Sequence, residues 1–175
     1  MYKMLTLRHA KYKRFMIQRL QTVYFIAIIL ICLLISTGTL LSGSLSTEGL
    51  VTYYQLNLIY FKVFENGTLV SSEIQYVLIF LLSAIIGWTL NIMFSFKDRS
   101  KQIKLAKWNY LFILLLIVAL FAKAVMDIPG FAFAVQRMDS VFGLALLFFI
   151  GYLNFRAIML IKKDDALVKS ADRIR

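Results

Sequence analysis

The chain has 175 residues, of which 61% are hydrophobic and 17% charged, and its formal net charge is +11. A soluble domain is about 45–50% apolar and about 25% charged, so the excess of apolar residues predicts an integral membrane protein. The single histidine, His9, and the single cysteine, Cys32, exclude an intrachain disulfide and a site built from several His or Cys ligands. We therefore expect no catalytic residue, no metal and no cofactor.

Four runs of the sequence are long and apolar enough to cross a bilayer, which takes about 20 helical residues. They are residues 22–42, 74–96, 108–126 and 140–161. Each run must be a helix, because an open sheet edge would leave backbone groups unpaired in lipid. The first run has the basic flank of a secretory signal, but its apolar stretch exceeds the about 7–15 residues of a signal core. The predicted fold is therefore an all-α bundle of four transmembrane helices.

The segment between the first two predicted spans, residues 43–73, differs in composition from the spans. Residues 51–64 are rich in Val, Thr, Tyr, Phe and Ile, and Asn66-Gly67 follows them. Asn-Gly between β-rich segments is the strongest short-range signal for a hairpin. We expect a small extracytoplasmic β-hairpin that lies on the helix ends. Asn66 and Gly67 also begin a glycosylation pattern with Thr68, but a turn is the favoured interpretation.

The basic residues are distributed unevenly about the predicted spans. Of the 20 Lys and Arg residues, 17 lie in residues 1–21, in residues 97–107 or from Arg156 onward. The other side has only Lys62, Lys123 and Arg137. Because cytoplasmic loops of membrane proteins carry an excess of Lys and Arg, both termini are predicted to be cytoplasmic.

Small residues recur on two of the predicted helices. Ser83, Gly87 and Asn91 are spaced by four in the second span, and Gly143 and Gly151 are eight apart in the fourth. Small residues let helix backbones approach closely in lipid, so we expect a helix-packing face within the protein. The alternative is a polar pathway or a groove in which a partner docks.

Two basic residues fall inside the predicted spans, each near a helix end. Arg156 lies six residues before Lys162, and Lys123 lies four residues before Asp127. Long side chains near helix ends can reach the interface, and the spacing of Lys123 and Asp127 suits an i,i+4 pair. Snorkelling to the interface is the favoured interpretation, and substrate or ion handling is the alternative.

The predicted cytoplasmic face carries a set of polar residues from three segments of the chain. These are Gln18, Arg19, Arg99, Gln102, Asp164 and Asp165. Because guanidinium binds carboxylate through two hydrogen bonds, we expect an aspartate of this set to lie within about 4 Å of an arginine. Residues 162–175 are expected to extend the fourth helix, with Leu167, Ala171 and Ile174 on one face. This extension is either a solvated tail or a docking segment.

Three stretches, residues 16–24, 98–105 and 163–175, resemble domain-of-unknown-function family 4293, small membrane proteins of Bacteroidetes-type bacteria. The resemblance implies a four-helix protein of the bacterial inner membrane with no assigned activity. Members of the family begin where Met16 stands. Residues 1–15 are therefore interpreted as a basic cytoplasmic tail from an upstream start site, and residues 16–175 as the membrane domain.

These features favour a non-enzymatic accessory or assembly subunit of a larger membrane protein complex, with the lipid bilayer and a membrane protein as partners. The alternative is a small transporter or lipid-handling protein that uses Asn91, Asn154 and Arg156. A bundle enzyme is disfavoured by the scarcity of catalytic residue types. Nucleic-acid binding is a poor alternative, because the basic residues are those that the predicted topology already requires.

Overall fold

The computed structural model describes the backbone of residues 2–47, 50–128 and 138–172 and the side chains of residues 20–46, 50–128 and 141–170. Its elements, in chain order, are α1 (Tyr2–Thr37), β1 (Leu41–Thr47), β2 (Leu50–Leu56), β3 (Tyr60–Glu65), β4 (Thr68–Ile74), α2 (Tyr76–Phe94), α3 (Arg99–Asp127) and α4 (Met138–Asp172). The four strands lie between the first two helices. The fold is therefore a four-helix protein with a small sheet.

The helices form a closed ring in which each packs on its neighbours in sequence, and α4 returns to pack on α1. The sheet, the end of α3 and the start of α4 lie at one end of this ring, here called the sheet end. The turn at residues 95–98 and the end of α4 lie at the other, here called the tail end. Neighbouring helices therefore run antiparallel, as in an up-down bundle.

Each helix buries one stripe of side chains at alternating spacings of four and three. The stripes are Gln21, Phe25, Ile28, Cys32 and Ile35 on α1; Leu78, Leu82, Ile85, Thr89 and Ile92 on α2; Gln102, Ala106, Asn109, Ile113, Leu116 and Leu120 on α3; and Leu147, Ile150, Asn154, Ala157, Ile161 and Asp164 on α4. A 4-3 spacing repeats every seven residues, the pattern of helices that pack side by side as in a coiled coil. The core is thus a continuous seam along the ring axis.

The faces that point away from the core are strongly apolar. Exposed large side chains include Leu30 and Leu33 on α1, Phe80 on α2, Leu114 on α3 and Phe148 on α4. Residues Leu20–Thr37, Tyr76–Phe94, Arg99–Asp127 and Val141–Ser170 contain segments long and apolar enough to cross a membrane. A soluble protein rarely exposes a continuous apolar surface of this kind. The structure therefore suggests a multi-pass membrane protein.

The predicted hairpin is present as β3 and β4, joined by Asn66 and Gly67. Both residues have positive φ, 48° and 84°, as a type I′ hairpin turn requires. However, the sheet has four antiparallel strands in the order β1-β2-β3-β4, so the prediction of a single hairpin was incomplete. Buried residues of the sheet, among them Leu41, Leu56 and Phe61, belong to the same core as the helices.

The predicted spans lie largely within helices, but the first was wrong in reaching residue 42 and the second was wrong in beginning at residue 74. The helix α1 ends at Thr37 and the Leu40 amide hydrogen-bonds to the Leu56 carbonyl at 2.9 Å, next to β1, whereas residue 74 is the last of β4. The helix that contains the third predicted span begins before it, at Arg99, because the Asp98 side chain accepts a hydrogen bond from the Lys101 amide and caps the helix there. The basic segment from 99 to 107 is therefore helical.

Candidate functional site

Buried polar side chains of the four stripes are gathered in the half of the ring next to the tail end. They are Gln21, Thr89, Gln102, Asn109, Asn154 and Asp164, and none is more than 6% exposed. At the sheet end the stripes carry apolar side chains such as Ile35, Leu78 and Leu147. Polar groups within a membrane-spanning bundle are restricted to contacts between helices or to function. The tail half of the core is therefore the candidate site.

The deepest polar contacts connect three helices. The Asn154 amide nitrogen on α4 donates to the Ala106 carbonyl on α3 at 2.9 Å. The Asn109 amide nitrogen donates to the Thr89 hydroxyl on α2 at 3.2 Å and lies 3.5 Å from the Asn154 amide oxygen. Tyr110 also shares a hydrogen bond with Asn154. Because these bonds require specific levels of α2, α3 and α4, they fix the register of the three helices.

Two further side chains bond to carbonyl groups of the adjacent helix. The Gln102 amide nitrogen donates to the Ile92 carbonyl at 3.2 Å, close to the end of α2. The Trp88 ring nitrogen donates to the Leu105 carbonyl at 2.9 Å, and its ring lies 5.3 Å from that of Phe112. The Ile92 carbonyl also accepts a hydrogen bond from the Ser95 amide at 3.2 Å, so Gln102 adds a second donor from α3 to a carbonyl at the end of α2. These bonds hold α2 against α3.

At the tail end itself, a buried ion pair joins α3 to α4. The Arg99 Nε atom lies 2.7 Å from an Asp164 carboxylate oxygen, and the Asp164 side chain is 2% exposed. Arg99 is the first residue of α3, so the carboxylate also lies near the positive end of the α3 dipole. Both charges of the pair are therefore compensated, and the contact holds α4 to the start of α3.

The predicted cytoplasmic-face network is present only in part. An aspartate–arginine contact was predicted, and the Arg99–Asp164 pair is one such contact. Gln102 belongs to the next layer, and Asp165 faces outward and pairs with Lys169 at 2.7 Å. The side chains of Gln18 and Arg19 lie outside the described residues. The structure therefore joins two of the six predicted residues directly.

The predicted helix-packing face on α2 was wrong as a contact within the chain. Ser83, Gly87 and Asn91 all face outward, because the larger residues of the 4-3 stripe occupy the inner face. On α4, Gly143 is a packing glycine: a Cβ atom there would lie 2.8 Å from the Leu40 side chain. At Gly151 a Cβ atom would meet nothing within 4 Å. Only Gly143 of the five residues allows a close approach within the chain.

The two basic residues inside the predicted spans have different surroundings. Lys123 pairs with Asp127 at 2.7 Å, as its spacing predicted. Arg156 is exposed on α4, and Asn91 is exposed on α2, which is not a neighbour of α4 in the ring. Asn154 is buried in the core instead. Asn91, Asn154 and Arg156 thus share no common face, contrary to the arrangement that the transporter hypothesis assumed.

The chemistry of the site is that of hydrogen bonds and one ion pair. Across the described parts of the chain, no three His, Cys, Asp or Glu residues are grouped as they would be to hold a metal ion. Cys32 is fully buried among apolar residues of the α1 stripe. Two amide atoms of the buried set, Asn109 Oδ1 and Gln21 Nε2, have no hydrogen-bond partner.

Sequence reasoning missed Thr89 and Asn109, and it assigned Asn154 to the wrong surface. The sequence signal that could have placed these three residues in the core is the 4-3 spacing. Each of them falls at a position of this spacing that is otherwise occupied by buried apolar residues of its own helix.

Comparison with known proteins adds one relationship. A family model described as Domain of unknown function (DUF4293) matches residues 17–174. No curated protein and no solved structure matches the chain. The matched region includes α1 from residue 17 onward, the other three helices, the sheet and every residue of the buried polar set. The chain belongs to the DUF4293 family of proteins.

Proposed function

We propose that this protein is a non-enzymatic accessory or assembly subunit of a larger complex in the bacterial inner membrane, and that it docks on a membrane protein partner through its tail end. The observation that carries the proposal is the buried Arg99–Asp164 pair. Because this pair joins α3 to α4 at the tail end, it fixes the direction in which the part of α4 beyond Asp164 continues from the bundle.

The part of α4 beyond Asp164 extends past the start of α3. It continues as a helix to Asp172, and its backbone is described throughout. Because Asp164 contacts the first residue of α3, the residues after it have no α3 to pack against. We call residues 165–172 the α4 arm.

The α4 arm presents both charge and an apolar side chain. Asp165 and Lys169 form an exposed i,i+4 pair that supports the helix. Leu167 is 50% exposed. An exposed leucine on a helix held at a fixed angle suits docking on an apolar patch of a partner, because complete burial of such a side chain contributes about 1.5–3 kcal/mol. This favours a docking segment over a solvated tail.

The orientation that we propose places the tail end, with both termini, in the cytoplasm. Of the 20 Lys and Arg residues, 17 lie on this side of the predicted spans. The positive-inside rule relates such an excess to the cytoplasmic face. The sheet end would then face the periplasm, and the docking partner would present its cytoplasmic side to the α4 arm.

The proposal is tested by comparing Leu167→Glu with Ala166→Glu, a neighbouring exposed position that adds the same charge. The tagged full chain is expressed in its own host and purified in mild detergent. A subunit that co-purifies stoichiometrically with the wild type should be reduced about tenfold by Leu167→Glu, because the variant loses the burial of one apolar side chain. Ala166→Glu should retain most of it.

The protein level in the membrane is measured for both variants, so that loss of the partner is separated from loss of the chain. Purification of the wild type as a lone monomer or homodimer would contradict the accessory-subunit proposal. Equal retention of the partner by both variants would contradict the role of the α4 arm.

A further inference from the structure

A groove of about 330 Å³ lies between α3 and α4 on the outer face of the bundle. Its α3 wall includes Tyr110, Leu114 and Ile117, and its α4 wall includes Phe148 and Gly151. Apart from Tyr110 and the glycine, the lining side chains are hydrocarbon. The groove lies within two of the segments long and apolar enough to cross a membrane.

The groove exists because a side chain is missing at Gly151. A Cβ atom there would meet no atom within 4 Å, so the protein leaves this space open. Gly143 on the same helix is different, because Leu40 fills the space in front of it and a Cβ atom would lie 2.8 Å from that side chain. The missing side chain at Gly143 is thus explained by packing within the chain, whereas that at Gly151 is not.

The end of the groove nearest the tail end is polar. Tyr110 lines the groove there and is hydrogen-bonded to Asn154 of the buried polar set. Lys107 is exposed and lies three residues before Tyr110, so it is on the same face of α3 and one turn nearer the tail end. An aromatic ring with a basic residue one turn farther from the middle of the span is the arrangement expected where a span meets the lipid headgroups.

We propose that this groove is a binding site for an anionic phospholipid, with one acyl chain lying over Gly151 and the headgroup phosphate on Lys107. The length of the groove is hydrocarbon, as an acyl chain requires, and the charge at its polar end is opposite to that of the phosphate. The inference rests on the four helices spanning a bilayer with the tail end at its anionic face. It does not require the α4 arm to bind a partner.

The test uses the full chain in nanodiscs made of equal parts phosphatidylglycerol and phosphatidylcholine. The protein is released into mild detergent, and the lipids that remain bound are identified by native mass spectrometry. The wild type should retain phosphatidylglycerol in preference to phosphatidylcholine. Gly151→Leu, which fills the groove from a position with open space around it, should reduce this retention about tenfold.

Two matched variants complete the experiment. Gly87→Leu adds the same side chain at a helical glycine that also has open space around it but is not among the residues that line this groove, and it should retain lipid as the wild type does. Lys107→Gln should lower the preference for phosphatidylglycerol about fivefold, the size expected for one basic residue near an anionic surface. Lys101→Gln, an exposed lysine nine residues before Tyr110 and therefore on the opposite face of α3, should leave the preference unchanged.

Three outcomes would overturn the proposal. One is equal retention of phosphatidylglycerol by Gly151→Leu and the wild type, which would mean that the bound lipid lies elsewhere on the surface. Another is equal retention of the two lipids by the wild type. The third is a wild-type dimer that Gly151→Leu dissociates, which would mean that a second copy of the chain occupies the groove. Co-purification of a partner subunit is unaffected by these outcomes, so the docking proposal is judged separately.

Discussion

Arg99 Nε lies 2.7 Å from an Asp164 carboxylate oxygen, and this contact joins the first residue of α3 to the tail-end part of α4. The carboxylates of the two i,i+4 pairs, Asp127 and Asp165, have side chains that are 20% and 30% exposed, against 2% for Asp164. Exposed pairs contribute about 0–1 kcal/mol, whereas loss of one partner from a buried pair costs about 3–5 kcal/mol. Of the three pairs, Arg99–Asp164 therefore matters most for stability.

Replacing Asp164 by Asn should destabilise the protein, because the Arg99 guanidinium would lose its counter-charge while remaining mostly buried. We expect a loss of about 2–4 kcal/mol, slightly below the range for fully buried pairs because Arg99 retains some contact with solvent. The measurement is thermal or denaturant unfolding of the purified protein in detergent. Asp165→Asn is the matched control and should change stability by no more than about 0.5 kcal/mol.

The double variant Arg99→Met/Asp164→Leu separates charge compensation from packing. Replacing both members of a buried pair by apolar residues of similar size is often neutral or stabilising. The double variant should therefore recover most of the stability that Asp164→Asn loses. If Asp164→Asn is as stable as the wild type, the pair does not hold α3 to α4.

Asn154 is the second position at which stability depends on a buried polar group. In Asn154→Ala the Ala106 carbonyl loses a side-chain donor, and the Asn109 amide group loses one of its contacts. Side-chain hydrogen bonds between membrane helices average about 0.6 kcal/mol and reach about 1.7 kcal/mol, so with the lost packing we expect about 1–3 kcal/mol. Unfolding in detergent measures this loss.

Asn91→Ala is the matched control for Asn154→Ala, because Asn91 is an exposed asparagine of the adjacent part of the bundle. It should leave stability within about 0.5 kcal/mol of the wild type, as surface substitutions do. A larger effect at Asn91 than at Asn154 would mean that the outer face of α2, and not the core, carries the important polar contact.

The proposed topology predicts which side of the membrane each end of the bundle faces. Ser72→Cys places a thiol on an exposed position of the sheet, and Lys101→Cys places one on an exposed position at the tail end. The native Cys32 is fully buried, so it should contribute little background. In intact bacterial cells, a membrane-impermeant maleimide should label Ser72→Cys, and it should label Lys101→Cys only after the inner membrane is opened. Labelling of Lys101→Cys in intact cells would reverse the proposed orientation.

The helices were predictable from the sequence because apolar runs of about 20 residues have few alternatives in lipid. The end of the first helix could not be predicted in this way. Leu40, Leu41 and Ser42 continue the apolar run, and only their backbone hydrogen bonds with β2 show that the helix has ended and that β1 begins at Leu41. Such pairing depends on residues far away in the sequence, and strands β1 and β2 carry no Asn-Gly signal of the kind that marks the turn between β3 and β4.

The Arg99–Asp164 contact was within reach of sequence reasoning because both residues lie just beyond predicted spans, where opposite charges come to the same level. In contrast, the face of α2 that packs in the core could not be predicted from the sequence. Ser83, Gly87 and Asn91 share one face by spacing alone, and so do Leu78, Leu82, Ile85 and Thr89 on the stripe that is buried. Small residues can pack against helices, but lipid also accepts them, so spacing by itself does not say which face turns inward.

The polar contacts of the tail half of the core come from several helices, and they can therefore form only in the order in which these helices are synthesised. Thr89 and Asn109 are adjacent in the ring and belong to consecutive helices, so their hydrogen bond can form as soon as α2 and α3 have left the ribosome. Asn154 and Asp164 arrive only with α4, which is synthesised last and also brings Gly143 against Leu40. Until then the Arg99 guanidinium has no Asp164 carboxylate beside it. A nascent chain that has released only its first three helices therefore lacks the contact of Gly143 with Leu40 at its sheet end and carries an Arg99 without its counter-charge at its tail end.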